Sequence, residues 1–364
     1  MDTTPSRARF AFLIHPRTDV AADLAGVHPL LGLIPTRVAE HGMARLPLKP
    51  WVHARIETVD AQGEAFGEII AVPLSPRLLL GADRALVQRR VDEAVDLAVA
   101  RGATLVGLGA LTAPVTAGGA KLRRRTDVGV TNGNAFTAAM TVQAVERVAG
   151  AFAEPPVIAL VGANGSVGTA VARATARAGI ASELLLIGRT PSSLAALGGS
   201  LDAAWSTDIA DCRRADVVVL MTSAADALLG SEHLKPGAIV VDDTQPRNTS
   251  ERLAAERPDV VIVDGGLVST PGLLRRGHSI GLPADRSFAC LAETALLALG
   301  GHSGHGTIGR PTLDDVDRVT GLAARFRHLG FRLAAPTAFG RPVAVPGWNA
   351  PAVRAASMSE EPAA

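Results

Sequence analysis

PVIALVGANGSVG, residues Pro156–Gly168, is the stretch that decides the fold. Val157–Val161 is a short apolar run and reads as a buried strand. Gly162-Ala163-Asn164-Gly165-Ser166-Val167-Gly168 follows as a glycine-rich turn, and Thr169–Ala178 continues in a helical pattern. Strand, turn and helix in that order open a dinucleotide-binding unit. Gly162 permits the tight turn, Gly165 leaves the backbone bare for a pyrophosphate, and Gly168 lets helix and strand approach. The helix N-terminus directs its free N–H groups at the phosphates. Gly162, Asn164, Gly165, Ser166, Val167 and Gly168 are therefore cofactor-site candidates. The same glycines also suit a tight turn in another α/β protein; the flanking strand and helix favour the nucleotide.

Downstream, apolar runs recur at Leu184–Ile187, Val217–Met221, Ala238–Asp242 and Val260–Val263, with helical segments between most of them. That alternation predicts an α/β chain with a doubly wound parallel sheet, a Rossmann NAD(P)-binding domain. Such a fold shows its nucleotide preference after the second strand, where an acid serves the NAD ribose and an arginine serves the 2′-phosphate of NADP. Here the strand ends Ile187-Gly188-Arg189-Thr190 and carries no acid. Arg189 can grip a phosphate through two N–H groups. NADPH is the expected cofactor, with Arg189 and Thr190 at its phosphate. The ends of the later strands add Thr222, Ser223, Asp243 and Gly265 to the cofactor-site candidates.

Ahead of this unit lie a loose leader over residues 1–8, a strand at Arg9–Ile14, and short helices and loops over Val20–Gly42. Strands at Trp51–Val59 and Gly67–Pro73, a helix at Ala85–Arg101, a strand at Ala103–Leu108 and a helix at Ala135–Ala149 follow. After Pro283 the pattern is helical at Ser287–Leu299 and Leu313–Leu329. The expected division is a mixed α/β N-terminal substrate domain over 1–153 and the nucleotide domain over 154–286. A helical C-terminal segment over 287–340 and a disordered tail over 341–364 complete it.

Hydrophobic residues make up 48% of the 364-residue chain and charged residues 20%, a globular composition. The net charge of +1 points to neither nucleic acid nor a membrane surface. Two cysteines, Cys212 and Cys290, supply neither a disulfide framework nor a CxxC metal site, and no HExxH occurs. The apolar run Phe10–Ile14 is too short for a signal peptide, and Leu291–Leu299 is too short to span a bilayer. The expectation is a cytoplasmic protein without a metal.

Cys290 lies in Asp285-Arg286-Ser287-Phe288-Ala289-Cys290-Leu291-Ala292-Glu293. With Asp285 or Ser287 as N-cap, its sulfur falls in the first helical turn, where the helix dipole favours the thiolate. Glu293 shares that helical face. The flanking Phe288 and Leu291 equally suit a buried core cysteine.

These residues also carry a resemblance. Ser287–Glu293 resembles the FACFAE segment of the long-chain acyl-(acyl-carrier-protein) reductases, which form aldehydes. Thr131–Ala138, TNGNAFTA, is similar to their TTGNxxTA, and Gly107–Thr112 to their LGGFTS. Gly162–Gly168 is similar to GATGxIG, Asp243–Asn248 to DGGYPKN and Asp264–Val268 to NGGVV; Ile308–Arg310 and His328–Phe331 resemble segments near the family's C-terminus. The resemblance implies a covalent mechanism. Cys290 would accept the acyl group from an acyl-carrier protein or acyl-CoA, and NADPH would reduce the enzyme thioester to the aldehyde. Asn132, Asn134 and Thr137 would line the acyl site, Glu293 would orient a group beside the sulfur, and His15 would give a proton. Asn132-Gly133-Asn134 suits a turn and helix cap equally well, and a structural role also fits His15. The chain departs from the family in reading Thr244-Gln245 after the Asp243 turn and in the basic run Lys121-Leu122-Arg123-Arg124-Arg125. That run is a candidate contact for an acidic carrier or a solvated loop. Two other functions stay open: a shikimate-dehydrogenase-like dehydrogenase of a small hydroxy or amino acid, and a non-catalytic dinucleotide-binding regulator.

Overall fold

The apolar runs form two six-stranded sheets in the computed structural model, which describes residues 9–16, 29–64, 66–224, 227–245 and 247–348. In chain order the first eleven strands are β1 Phe10–Ile14, β2 Trp51–Thr58, β3 Gly67–Ala71, β4 Leu105–Leu108, β5 Gly129–Thr131, β6 Val157–Val161, β7 Glu183–Ile187, β8 Ala204–Ser206, β9 Val217–Leu220, β10 Ile239–Asp242 and β11 Val261–Asp264.

The second sheet has the order β11-β10-β9-β6-β7-β8, with every pair parallel. The chain builds outward from β6 to β8, returns, and builds outward again from β9 to β11. The fold class is thus α/β with a doubly wound parallel sheet, and its strand order reverses between β6 and β9. Parallel strands are covered on both faces, so they read as continuous apolar runs. Ala159, Val161, Leu185, Ile187, Val218, Leu220, Val240 and Ile262 form one such buried layer.

The first sheet is mixed. Its order is Leu273–Gly277, β2, β3, β1, β4, β5. β1 runs parallel to β3 and β4, and β4 to β5, whereas β2 is antiparallel to β3 and to Leu273–Gly277. Helix Arg84–Ala100 buries Val87, Val91, Ala94, Val95 and Ala98, which join Leu13, Ile70, Val106 and Val130 in one core. Those helix positions recur at the three-and-four spacing of one helical face.

Each sheet belongs to its own compact unit, and the units interleave along the chain. One comprises Met1–Phe136, Val268–Gly309 and Arg318–Arg332; the other comprises Thr137–Leu267, Arg310–Asp317 and Leu333–Ala364. This differs from the contiguous division at 153, 286 and 340. Leu273–Gly277 supplies the edge strand beside β2, a pairing across more than two hundred residues that leaves no local trace. The helix carrying Cys290 likewise returns to the first unit.

The expected tail needs a similar correction. Arg341-Pro342 pairs with Thr337-Ala338, and Trp348 is buried, its Nε1 donating to the Ala334 carbonyl at 3.2 Å. The leader at 1–8, part of the segment expected to form short helices (17–28) and the tail at 349–364 lie outside the described residues. Among the described residues no helix is long and apolar enough to cross a membrane.

Candidate functional site

In the second unit the turn after β6 meets each requirement of a phosphate cradle. Gly162 sits at φ +89°, and a Cβ there would lie 2.6 Å from the Met221 carbonyl oxygen. A Cβ on Gly168 would overlap the Gly162 carbonyl, so helix Ser166–Ala178 can approach the turn only without one. Gly165 is the N-cap of that helix, and no side chain caps the first turn. The bare cap leaves the N-terminus able to receive an anion. The Asn164 carbonyl accepts from Arg310 Nη2 at 3.0 Å, and its side chain lies against Gly188 at the end of β7. Ser166 and Val167, both half-buried, form the first turn of the helix. Arg189 and Thr190 are exposed beyond β7, Thr190 as the N-cap of helix Pro191–Leu201. These residues fit a dinucleotide: the turn leaves bare backbone for a pyrophosphate, and an exposed arginine stands beyond β7.

The ends of β9, β10 and β11 form the other half of that edge. The Thr222 hydroxyl bonds Asn248 Oδ1 and accepts from Ala224 N at 3.2 Å, so it organises its own loop; Ser223 is exposed. Asp242, not singled out from sequence, is the organiser of the loop after β10. It accepts from Thr244 Oγ1 at 2.5 Å, Thr249 Oγ1 at 2.6 Å, Thr249 N at 2.8 Å and Asn248 N at 3.1 Å. Asp264 does the same after β11, holding Arg247, Thr337 Oγ1 at 2.8 Å and the Phe339 and Gly340 N–H groups. Burial works against its charge, but Arg247 and these donors keep its carboxyl below the usual range.

Asp243 has a different environment. The residue is half-buried, and its carboxyl accepts from the Thr141 hydroxyl. A Cβ on Gly265 or Gly266 would strike Asp243, so the carboxyl rests on bare backbone. Burial pushes it up to about 7; the Thr141 hydroxyl works the other way and the Asp242 charge adds to the rise. Between its ordinary value of 3.8 and about 7 the folded state therefore binds more protons than the unfolded state. Stability from this group is present at low pH and is lost as pH rises through that window. Asp243→Asn is expected to flatten the decline, seen as a smaller drop in the urea midpoint between pH 5 and pH 8 than in the native chain.

In the first unit, Cys290 is the second residue of helix Ala289–Leu299. The N-cap is Phe288 in extended conformation; Ser287 lies in a short strand, Arg286–Phe288, in place of the expected cap. Cys290 is half-buried, and its Cα and Cβ press on Gly133, which sits at φ +73°. Any side chain at 133 would overlap the cysteine. The Asn132-Gly133-Asn134 turn is thus a fitted wall beside the thiol.

Three of the residues that the resemblance implies for the chemistry, Asn132, Glu293 and His15, are occupied otherwise. Asn132 is 1% exposed, and both its amide hydrogens are spent on backbone carbonyls, Gly309 at 2.8 Å and Gly118 at 3.1 Å. Its Oδ1 accepts from Asn134 N at 3.0 Å, so it caps helix Asn134–Ala149 and has no hydrogen left for an oxyanion. Glu293 is fully buried; it accepts from Thr131 Oγ1 at 2.6 Å and Phe136 N at 2.8 Å. Burial pushes its carboxyl up, against those donors. It anchors the N-terminus of helix Asn134–Ala149 rather than a group beside the sulfur. The His15 ring is used at both nitrogens: Nε2 accepts from Leu111 N at 3.3 Å, which leaves Nδ1–H to donate to the Pro16 carbonyl at 2.7 Å. It is a structural histidine in this arrangement. Asn134 and Thr137 are half-buried at the start of the helix.

The remaining sequence candidates resolve simply. Cys212 is buried, and burial pushes its thiol up to about 12, leaving it inert. In the basic run, Arg125 is paired with Asp96 and Asp127 and Lys121 bonds the Val115 carbonyl, while Arg123 and Arg124 are exposed. Among the described residues no group of three or more His, Cys, Asp or Glu could hold a metal ion.

No protein-family model matches the chain. A curated relative, Aminotransferase PigE from a Serratia species, is 27% identical over 284 residues, covering 74% of this chain and 33% of that protein. The chain thus spans about a third of the length of the relative it matches. Among solved structures, shikimate 5-dehydrogenase from Thermus thermophilus, in complex with shikimate, is similar at 18% identity and a TM-score of 0.40, covering 87% of this chain and 99% of that one. L-tryptophan dehydrogenase from Nostoc punctiforme is similar at 12% identity and a TM-score of 0.39, covering 89% and 81%. The expected membership of the long-chain acyl-(acyl-carrier-protein) reductases is overturned by the curated relative, which carries an aminotransferase name.

Proposed function

We propose that the chain is an NADP(H)-dependent dehydrogenase that interconverts the carbonyl group of a small acid with its hydroxy or amino form. One observation carries this reading: the bare glycine turn Gly162–Gly168 opens an uncapped helix at the centre of a doubly wound sheet, with Arg189 in place of an acid after β7. Bound there, the cofactor would supply hydride. Gly165 and the helix N-terminus would hold the pyrophosphate, and Arg189 the 2′-phosphate. The aminotransferase name of the curated relative also supports carbonyl chemistry, because amino transfer consumes one carbonyl compound and releases another. A panel of small hydroxy and amino acids with NADP⁺, followed at the absorbance of NADPH, tests it. Turnover of a member of the panel, undiminished in Cys290→Ser, supports the reading. Reduction of acyl thioesters alone, with no member of the panel oxidised, would contradict it.

Arg189 makes a sharper expectation. Arg189→Ala is expected to weaken NADPH by about 1.5–3 kcal/mol, the range for a hydrogen bond to a charged group, and to leave NADH unchanged. Fluorescence titration of both cofactors checks this, and an equal loss for both would remove Arg189 from the phosphate site.

A second reading is favoured by the thiol. Cys290 is half-buried at a helix N-terminus and faces a residue that must be glycine. In that reading its thiolate attacks an acyl thioester; the new S–C bond forms as the carrier's C–S bond breaks, and the carrier thiol leaves with a proton. Arg123 and Arg124 would then serve an acidic carrier or the phosphates of CoA. The native chain mixed with an acyl-CoA and no NADPH would gain one acyl mass, and Cys290→Ser would gain none. An unmodified native chain would exclude the covalent step.

A further inference from the structure

The carboxyl of Asp243 and the hydroxyl of Thr141 form a pair that can hold one extra proton while the bond between Oδ2 and Oγ1 is kept. Thr141 Oγ1 touches two oxygens: the Thr137 carbonyl at 2.9 Å and Asp243 Oδ2. A hydroxyl has one hydrogen and two lone pairs, and a carbonyl has no hydrogen to give. When Asp243 is ionised, the hydroxyl donates to Oδ2. When Asp243 is protonated, its O–H donates to Oγ1, and the hydroxyl turns to the Thr137 carbonyl. The bond between Oδ2 and Oγ1 persists in both states, so the proton can be taken up or lost with only a hydroxyl rotation. The other carboxylates at this edge lack that freedom, since Asp242 and Asp264 are each fixed by at least three donors.

The position in the sheet assigns a use to the pair. Asp243 follows β10, on the side of the switch point away from the glycine turn. A dinucleotide crosses a doubly wound sheet at the switch point, one mononucleotide to each half. The glycine turn takes the adenosine side, so the nicotinamide half falls to β9, β10 and β11. The charged and titratable groups around Asp243 are few: Asp242 precedes it, Asp264 is paired with Arg247, the Gly265-Gly266 backbone brings no charge, and the helix of Thr141 carries Glu146 and Arg147 more than a turn beyond Thr141. Among the described residues no lysine or arginine bonds the carboxyl to hold it ionised.

We propose that Asp243 is the proton donor and acceptor of the hydride-transfer step, with Thr141 as its positioning residue. Hydride adds to the carbonyl carbon, the π electron pair moves to oxygen, and oxygen takes the proton from Asp243. The carboxylate left behind is then met by the Thr141 hydroxyl, and the reverse reaction returns the proton. This role rests on the dehydrogenase reading above. Burial agrees with it, holding the carboxyl near neutrality.

The test uses NADP⁺ and NADPH themselves. Oxidised nicotinamide carries a positive charge that the reduced ring lacks, and a nearby cation favours the ionised carboxyl. If Asp243 lies beside the ring, NADP⁺ binding releases protons near pH 7 and NADPH binding does not. For a drop of about one pKa unit, NADP⁺ affinity relative to NADPH is expected to rise roughly fivefold between pH 6 and pH 8. The 2′-phosphate is common to both forms and cancels in the ratio. Asp243→Asn should bind both forms with a pH-independent ratio. Thr141→Val should keep the effect but move it to higher pH, because the hydroxyl that steadies the anion is gone. A pH-independent ratio in the native chain, or an unchanged pH dependence in Asp243→Asn, would overturn the role of Asp243 while leaving cofactor binding in place. Failure to bind either form would overturn the dehydrogenase reading together with it.

Discussion

Gly165→Val is expected to weaken NADPH by about a hundredfold or more, close to 3 kcal/mol, while the chain still folds. The physical reason is local. Even a methyl at 165 would sit 3.0 Å from the Gly162 carbonyl oxygen, which must then shift by a few tenths of an ångström. The two further methyls of valine would project where the pyrophosphate needs the backbone. Position 165 is the helix N-cap, is half-buried and has φ −74°, so the backbone itself tolerates a side chain. Gly165→Ala should fall between the two. Gly168 makes a poorer probe, because a Cβ there overlaps the Gly162 carbonyl and would disturb folding as well as binding. Circular dichroism with a fluorescence titration separates the outcomes. A folded Gly165→Val chain with native NADPH affinity would move the cofactor elsewhere.

The largest effect on stability is expected at Glu293. Glu293→Ala removes the acceptor for the Thr131 hydroxyl and the Phe136 N–H and leaves a hole in a fully buried place. Two buried donors without partners, at about 1–3 kcal/mol each, give a loss of roughly 3–5 kcal/mol once the hole is added. For a chain of 364 residues that corresponds to a fall in Tm of about 4–7 °C. Glu293→Gln keeps the volume and one acceptor, so its loss should be clearly smaller. If Glu293 instead served chemistry beside the thiol, Glu293→Ala would leave Tm close to native.

What was legible in the sequence was local. β6, β7, β9, β10 and β11 announced themselves because a covered parallel strand must be apolar along its whole length, whereas the exposed edge strand β8 did not; Gly162, Gly165 and Gly168 were legible because a phosphate turn needs them in a short span. Helix Arg84–Ala100 was legible from its spacing. Pairings between distant segments were not. Nothing in Leu-Leu-Arg-Arg-Gly at Leu273–Gly277 says that it returns to β2. Asn132 and Glu293 looked like chemistry because polar residues near a cysteine invite it, yet their bonds run to Gly309 and Thr131, more than 150 residues away in each case. Thr141 and Asp243 sit 102 residues apart, and each alone is an ordinary residue of its segment. Only the fold shows that they form a pair. Asp242 is illegible for the same reason, although Thr244, Asn248 and Thr249 close behind it are the hydroxyl and amide donors that an organising carboxylate gathers.

The central claim is that the glycine turn, with Arg189 beyond β7, holds NADP(H). Titrating the native chain with NADPH and with NADH under the same conditions tests it most directly. The account predicts saturable NADPH binding, about tenfold or more tighter than NADH, as expected when one charge-assisted phosphate contact separates them. Equal affinities, or no binding of either, would contradict it.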